Sequence, residues 1–335
     1  MNTDKNETLF IMKSLFAFIV LVLLTSTLFA QPRVHLGITS GFNSTYVLDK
    51  GLSANPDYIA QANFEWFPIG GSVGIDITKG FGFQFESIRA AQGQIYQMVQ
   101  TVQSVQKMVA ERNIDLQYIQ FPLLLKFMGS GVKPVRGNFH VGPQLSLLSG
   151  GSETIRFIED ARINLAGDEN DIPVDVTNVL VSNQGDIPQS YNDAIANGEV
   201  TPGDNELEVP LQYFENQDNP GEYDMPQDAV MTLMSSQVEN EIQKFKDKEI
   251  QIAFGFGVDV DIIKHFYISA NVRGNYSFTD MRNQDLIDMI GDEDISGIFN
   301  NRANLLIGVQ IGLHWVIGGN RSFKAKENAN DSLWQ

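Results

Sequence analysis

Four histidines are the side chains best suited to chemistry near neutral pH, because imidazole can act as a general base or bind a metal. They are His35, His140, His265 and His314, and cysteine is absent from the sequence. No Gly-x-Ser-x-Gly elbow, phosphate-binding loop or His-Glu-x-x-His pair accompanies them. The sequence therefore assigns no catalytic residue, no cofactor and no metal, and we expect a protein that is not an enzyme.

The segments around these histidines alternate large apolar side chains with polar or very small ones. In residues 251–262 the apolar set comprises Ile252, Phe254, Phe256, Val258, Val260 and Ile262. A period of two indicates β-strand and excludes helix. The same alternation recurs at 138–148, 266–279 and 304–317, and in weaker form at 34–47, 69–78, 81–92 and 116–127. These segments predict eight strands, each with about the 9–11 residues that a tilted strand needs to cross a bilayer.

Two kinds of β-barrel show this alternation. In a soluble, lipocalin-like barrel the apolar face lines a ligand cavity, whereas in a membrane barrel it faces lipid. A soluble exterior needs many Lys and Glu residues. The polar positions here hold mostly Gly, Ser, Asn and Gln, and the apolar positions are uniformly bulky. This composition favours a lipid-facing wall around a crowded polar lumen.

The connections between the predicted strands alternate in length. The short ones lie at 78–80, 129–136 and 264–265. The long ones lie at 48–62, 97–114, 155–248 and 283–302. Short periplasmic turns and long extracellular loops are typical of outer-membrane barrels. We therefore predict an all-β fold: an eight-stranded antiparallel transmembrane β-barrel, with a long extracellular insertion between strands five and six and both termini in the periplasm.

This topology places all four histidines near the periplasmic end, away from surface lipid. His35 and His314 fall on strands one and eight, which close the barrel, so a shared metal is one hypothesis. A tetrahedral site needs more than two ligands. We therefore favour the interpretation that these side chains fill the polar lumen.

Isolated charges on the polar faces predict a network inside the barrel. Eight strands enclose a space just wide enough for side chains to fill, which argues against an open pore. The predicted inward residues are Glu86, Lys126, Gln144, Asp259 and Arg273, and the four charged ones are expected at similar heights. Because an unpaired buried charge is costly, we expect Glu86 and Arg273 to pair directly or through Lys126 or Gln144. The expected role of this network is to close the barrel.

The first thirty residues are typical of a secretory signal peptide. Lys13 precedes an apolar run over residues 15–24, and Ala30 precedes the predicted cleavage site. Residues 1–11 do not resemble the start of such a signal, so we interpret Met12 as the translation start. No later stretch is long and apolar enough to predict a transmembrane helix. The net charge of −18 argues against binding to nucleic acid.

The predicted insertion carries most of the net charge. The chain divides into a signal peptide (1–30), barrel strands one to five (31–154), the insertion (155–248), barrel strands six to eight (249–318) and a periplasmic tail (319–335). Residues 155–248 hold 20 acidic and 5 basic side chains. We consider three interpretations: a solvated cap, a surface for a protein partner, and a calcium site at 167–171, whose spacing does not match an EF-hand loop.

Two stretches show apolar positions at helical spacing. Residues 227–246 predict a helix that leads into strand six. Residues 95–109 repeat apolar positions every three or four residues. That spacing fits either a short loop helix or a third strand that continues beyond the membrane.

Residues 118–127 read Tyr-Ile-Gln-Phe-Pro-Leu-Leu-Leu-Lys-Phe. Through Tyr118, Pro122, Leu123, Leu124 and Lys126 this segment resembles the fourth-strand signature of the PorT-like outer-membrane barrels of Bacteroidota. The other matching pieces are residues 37–43, Gly142-Pro143 and the Ala30-Gln31 junction. The resemblance extends over roughly 31–154 and 249–318. It implies an eight-stranded barrel in the outer membrane, and one member of this family takes part in a secretion system that exports gliding and protease cargo.

These observations favour a non-enzymatic, monomeric barrel that contacts outer-membrane lipid. Its acidic extracellular loop, residues 155–248, is then the surface for interaction with a protein partner. The first alternative is an accessory subunit of a Bacteroidota secretion system. The second alternative is a surface enzyme that modifies lipid or peptide.

Overall fold

The computed structural model describes most of the chain after the predicted signal peptide. The described residues are 33–49, 58–78, 80–102, 105–129, 134–164, 179–182, 187–201, 208–234, 244–263, 265–290 and 302–317. The predicted signal peptide, the C-terminal tail and the calcium-type segment at 167–171 lie outside these residues.

Strands dominate the described part. They are β1 (Arg33–Asp49), β2 (Tyr58–Trp66), β3 (Ile69–Asp76), β4 (Phe81–Val102), β5 (Val105–Met128), β6 (Val135–Phe157), β7 (Ala161–Asn164), β8 (Leu180–Ser182), β9 (Glu208–Pro210), β10 (Glu222–Met225), β11 (Val230–Met234), β12 (Lys248–Ile263), β13 (Phe266–Ser277) and β14 (Arg302–Ile317). The helices are α1 (Gln189–Ala196), α2 (Gln284–Ile290) and a 3₁₀ turn (Leu211–Phe214). None of the described helices is long and apolar enough to cross a membrane.

Antiparallel pairing closes the long strands into a β-barrel. Strand β1 takes the first position in the ring, and β2 and β3 together take the second. The remaining positions are taken, in order, by β4, β5, β6, β12, β13 and β14. The ring closes where β14 pairs with β1 from Val34 opposite Ile317 to Asp49 opposite Arg302. The pairings therefore give eight positions around the ring. We call the end with the short connections 77–80, 129–134 and 264–265 the turn end, and the opposite end the loop end.

The strands place polar side chains inside the ring and apolar side chains outside it. On β12, Gln251 and Asp259 are buried, whereas Phe254 and Phe256 are 43% and 61% exposed. A soluble protein of this size would bury such aromatic side chains to remove them from water. An exterior of bulky apolar groups around a polar interior instead suits a lipid environment.

The second barrel position departs from the predicted strand at 69–78. Strand β2 already begins at Tyr58, within the stretch predicted to be a loop at 48–62. The two strands at this position are separated by Phe67 and Pro68. Proline lacks the N–H that a ladder bond requires, so the sheet is interrupted here. The weak alternation of this segment reflects that interruption.

The hairpin of β4 and β5 resolves the two alternatives for residues 95–109. Strand β4 continues to Val102 and β5 begins at Val105, so the described residues of 95–109 are strand and not helix. Met98 and Ala110 contribute to one apolar cluster and Tyr96 to another. Beyond the lipid-facing wall, the hairpin is thus packed against protein, so an apolar residue is not confined to every second position.

The described part of the insertion forms a small domain attached to the barrel wall. Strand β11 pairs with β6 beyond the barrel, β8 pairs with β11, and β9 pairs with β8. A separate hairpin joins β7 and β10. The core of this domain comprises Phe157, Val181, Tyr191, Val209, Leu211, Phe214, Tyr223, Met225 and Met231.

The prediction of a helix within 227–246 is wrong for its first half. Residues Val230–Met234 form β11, which pairs with Ser152–Arg156 of β6. Residues 235–243 lie outside the described part of the chain. Pairing with β6 supplies backbone hydrogen bonds that local apolar spacing does not reveal, so tertiary context overrides the helical pattern.

Candidate functional site: the polar lumen and the folded insertion

An ion pair between Glu86 and Arg273 spans the lumen. Glu86 is on β4 and Arg273 on β13, on opposite sides of the ring, and both are buried. Arg273 Nη1 donates directly to the Glu86 carboxylate and also to Gln310 Oε1 at 3.1 Å. The Gln84 amide donates to the same carboxylate. The buried charge of each partner is therefore matched and hydrogen-bonded.

A second ion pair lies closer to the turn end. Lys126 Nζ is 3.0 Å from Asp259 Oδ2, and Asn138 Nδ2 donates to Asp259 Oδ1 at 2.9 Å. Gln144 belongs to a different group, in which its amide donates to Gln251 Oε1 at 2.7 Å. The five predicted lumen residues therefore form two ion pairs and part of an amide cluster.

The segment at residues 118–127, which resembles the PorT-like signature, faces mainly into the lumen. Tyr118, Pro122, Leu124 and Lys126 are buried, whereas Leu123 is exposed on the outer wall. The Tyr118 hydroxyl donates across the lumen to the carboxylate of Glu249. Pro122 occupies a register position opposite Gln144. The motif thus supplies lumen contacts on alternate residues.

Sequence reasoning missed a further set of buried charges at the loop end. Glu153 accepts from both Arg112 and Lys244. Nearby along the same rim, Arg302 Nε lies 2.9 Å from Asp49 Oδ2. These residues lie at or beyond the ends of the segments with clear alternation. The alternation of β6 up to Ser146 would place Glu153 on the outer face, and the register shift against β5 between Leu148 and Gly150 turns it inward, so no local signal indicated this carboxylate.

The histidines form part of a buried cluster near the turn end. His35 Nε2 lies 3.6 Å from Asp76 Oδ1, and the Tyr267 hydroxyl lies 3.2 Å from His35 Nδ1. His314 stacks on Tyr267 with ring centroids 4.3 Å apart, and its Nε2 lies 2.9 Å from Ser269 Oγ. Protein groups thus surround the imidazoles that were considered as a metal pair.

No group of three or more His, Cys, Asp or Glu side chains in the described ranges is arranged to hold a metal ion. His140 is also buried in the lumen. His265 lies in the turn between β12 and β13, with Nδ1 3.3 Å from the Val316 carbonyl. His35, His140 and His314 thus fill the polar lumen, whereas His265 is exposed in its turn.

The exposed face of the insertion carries its own ion-pair cluster. Arg162 on β7 donates from Nε to Asp224 Oδ1 of β10 at 2.7 Å. Asn216 Nδ2 donates to Asp224 Oδ2 at 2.6 Å. The hydrogen bond from Arg162, followed by that from Asn216, lowers the pKa of the Asp224 carboxyl. These contacts hold the β7–β10 hairpin together at the surface.

The closed ring, its apolar exterior and its polar interior define the class of membrane β-barrels. Residues 29–283 match the family model of the outer membrane protein beta-barrel domain. This match covers more than half of the chain, and the chain belongs to this family. The protein is accordingly an outer-membrane β-barrel protein. No protein with a curated description matches it in sequence.

Solved structures with a similar fold are outer-membrane proteins. Ail, the attachment invasion locus protein of Yersinia pestis, is 8% identical with a TM-score of 0.30, over 86% of this chain and 100% of that chain. OprG from Pseudomonas aeruginosa is 9% identical with a TM-score of 0.33, over 85% and 96%. The outer membrane protease OmpT from Escherichia coli is 8% identical with a TM-score of 0.33, over 85% and 96%. At these identities and TM-scores the likeness carries no conclusion about this chain.

Proposed function

We propose that the protein is a non-enzymatic anchor that holds the folded insertion outside the cell as a module for protein interaction. The observation that carries this proposal is the continuity of the sheet. Strand β11 of the insertion pairs directly with the extension of β6, and β8 and β9 continue that sheet. A module joined in this way is held in a fixed position relative to the barrel, as a binding surface on a rigid scaffold requires.

The filled lumen supports an anchoring role for the barrel. Two ion pairs lie inside it, Glu86–Arg273 and, closer to the turn end, Lys126–Asp259. The cavity beside Arg273 has a volume of about 20 Å³, which is room for about one water molecule. A barrel packed in this manner suits stability better than passage of a solute.

The charge of the insertion indicates the kind of partner. Residues 155–248 carry 20 acidic against 5 basic side chains. Such a surface favours association with a basic surface and speeds its approach at low salt. The proposed partner is therefore a protein with a positively charged face.

The proposed orientation places the turn end and both termini in the periplasm and the insertion outside the cell. Its support is the pattern of short turns at one end and long connections at the other. The apolar run after Lys13, interpreted as a cleaved signal peptide with translation starting at Met12, fits the same route of export.

Site-specific photocrosslinking in intact cells tests the proposal. One probe replaces Asp218, which is exposed on the insertion, and the other replaces Pro134, which is exposed at the turn end. We expect a crosslinked protein from position 218 and none from position 134. A product from position 134 alone would contradict the anchoring role and would favour a periplasmic partner.

A deletion variant that lacks most of the insertion is the control for this experiment. The Gln227 N–H already donates to Asp160 Oδ1 at 2.8 Å, so joining Asp160 to Gln227 removes 161–226 and keeps the hairpin of β6 and β11. Changing Phe157 and Met231 to Thr replaces two core side chains that the deletion would expose. The shortened protein should still insert into the outer membrane, and heating before electrophoresis should still change its mobility. It should no longer crosslink to the partner.

A second candidate function is that of an accessory subunit of a Bacteroidota secretion system. Its support is the PorT-like motif over residues 118–127. Purification in mild detergent distinguishes it, since a machine subunit should bring stoichiometric partners that persist after removal of 161–226. The third candidate, an enzyme acting on surface lipid or peptide, draws no support from the histidines, which are buried or lie at the turn end.

A further inference from the structure

Beyond the ring, the strands at the loop end continue as an open sheet. Strand β2 pairs with Gln94–Met98 of β4, and the extended hairpin of β4 and β5 pairs onward with β6. The insertion continues this sheet through β11, β8 and β9. The strands at the two edges of the open sheet are therefore β2 and β9. An edge strand presents backbone N–H and C=O groups that are able to pair with a further strand.

Strand β1 leaves the edge of β2 open at the loop end. The ladder between them ends at Thr45 opposite Asn63. The next part of β1 turns towards β4, where the Val47 N–H donates to Gln94 Oε1 at 2.5 Å. In the described part of the chain, the side of β2 that faces away from β4 is thus unpaired over residues 59–62.

The two edges of the open sheet differ in how they are protected. Strand β9 has only three residues, ends at Pro210, and buries its central Val209 completely. Residues 59–61 of β2 are all exposed, with Ile59 at 40%. The strand contains neither a charge nor a proline over Tyr58–Ala62. Because proteins normally protect exposed edges with such residues, with bulges or with a covering element, the edge of β2 lacks the usual protection against pairing.

We propose that the edge of β2 over residues 59–62 binds an extended segment of a partner protein by strand addition. In this mode, backbone hydrogen bonds supply the affinity and alternate side chains supply the specificity. Four residues of strand span roughly 13 Å, at about 3.3 Å per residue. The added segment shares one face with Ala60 and Ala62, whose side chains are small, and the other with Ile59. The segment is therefore short and uncharged, with an apolar side chain on the face of Ile59.

A second copy of the chain does not fit this edge in the same way. The ladders of β2 with β1 and β4 are antiparallel. Two barrels in one membrane are related by rotation about the membrane normal, which leaves the vertical direction of every strand unchanged. Because β2 runs from the loop end towards the turn end, two copies of it cannot lie antiparallel to each other. A segment of another protein has no such restriction.

Hydrogen exchange of the full-length protein in mild detergent, measured by mass spectrometry, tests this proposal. The probe is a synthetic peptide of alternating Thr and Val, capped at both ends. At a concentration about ten times the Kd found by titration, exchange of residues 59–62 should slow by about tenfold, because only the free protein exchanges there. Residues 208–210 of β9 should exchange at an unchanged rate. The same peptide N-methylated at every residue lacks backbone donors, so it should give no protection.

Proline substitutions distinguish backbone pairing from a side-chain contact. The N–H groups of adjacent strand residues point to opposite edges. Of Ala60→Pro and Gln61→Pro, one therefore removes a donor on the open edge and the other a donor on the side of β4. Exchange of Gln94–Met98 without peptide identifies the second variant, because it rises only when the ladder with β4 is broken. The first variant should lose protection by the peptide. Ala60→Ser and Gln61→Thr keep both N–H groups and are the matched controls, which should bind like the unchanged protein.

Equal protection by the methylated and the unmethylated peptide, unchanged protection in both proline variants, or no protection by either peptide overturns the proposal. Protection of residues 59–62 that appears without peptide and rises with protein concentration also overturns it, in favour of a second copy of the chain. The site lies at the other end of the sheet from β8 and β9. It is therefore separate from the acidic surface of the insertion, and the experiment depends neither on the orientation of the barrel nor on the crosslinking result.

Discussion

At the scale of single residues, the barrel tolerates buried charges because oppositely charged partners match them, in two cases from strands that are not neighbours. Arg273 reaches Glu86, and Lys126 reaches Asp259, from strands that are not neighbours in the ring. Such contacts tie opposite walls together and complement the ladder of backbone bonds around the ring. Removing one partner leaves an uncompensated charge in a space that water scarcely enters.

Arg273→Leu should destabilise the barrel by roughly 3–5 kcal/mol, because it leaves Glu86 buried without its partner. The measurement is the urea midpoint of reversible unfolding in lipid vesicles. Val272→Leu, at the adjacent lipid-facing position, serves as the control and should leave the midpoint almost unchanged. An unchanged midpoint for Arg273→Leu would show that the ion pair does not contribute to stability.

The surface pair of Arg162 and Asp224 should make the β7–β10 hairpin sensitive to acid. The pKa of Asp224 in the folded protein lies below its ordinary value of 3.8. The stabilisation is therefore present above that value and is lost as pH falls through the lowered pKa. Hydrogen-exchange protection of Ala161–Asn164, corrected for intrinsic rates, should fall in this range. Asp224→Asn should remove the dependence; persistence in that variant would assign it to another group.

At the scale of elements, proline and glycine determine where the ladders are interrupted. The ladder of β5 and β6 is broken between the pairs Pro122–Gln144 and Leu125–Val141. At Gly142 the backbone approaches the Leu123 carbonyl so closely that an added Cβ would lie 1.9 Å from its oxygen. A residue without a side chain is required at this approach.

Gly142→Ala should therefore force the two strands apart and destabilise the barrel, by about 1–3 kcal/mol as in other overpacked sites. Gly150→Ala on the same strand is the control, since nothing lies within 4 Å of a Cβ added there. Both are compared by urea unfolding in vesicles. Equal midpoints for the two variants would show that β5 and β6 separate at little cost.

At the scale of the whole molecule, the short connections collect at one end of the ring and the insertion at the other. The barrel then serves as a frame for a module that continues its sheet through β11. The proposed orientation exposes this module to the medium and protects the turn end.

Protease added to intact cells should cut within residues 155–248 and spare the turn at 129–134. Mass spectrometry of the fragments identifies the sites. Cells with a permeabilised outer membrane provide the control, in which the turn becomes accessible. Cleavage at 129–134 in sealed cells would show that the orientation is inverted.

The alternation of side chains along the chain was enough to assign the fold class and the two faces of most barrel strands. A side-chain period of two follows from strand geometry alone, so Phe254 and Phe256 could be assigned to the outside and Asp259 to the inside without knowledge of any partner. The alternation also places Glu86 and Arg273 inside the barrel. Because an unpaired buried charge is costly, the two residues were expected to form an ion pair. A one-residue change of register would have reversed every one of these assignments.

The extension of strands beyond the lipid-facing wall and the fold of the insertion depend on contacts between segments that are distant in sequence. Despite the helical spacing in 227–246, residues 230–234 form a strand. They pair with the part of β6 that extends beyond its ladder with β12. The pairing of Glu153 with Lys244 likewise depends on register between distant segments. Local residue patterns carry no information about such contacts, because the free energy that selects them comes from pairing and packing across the completed ring.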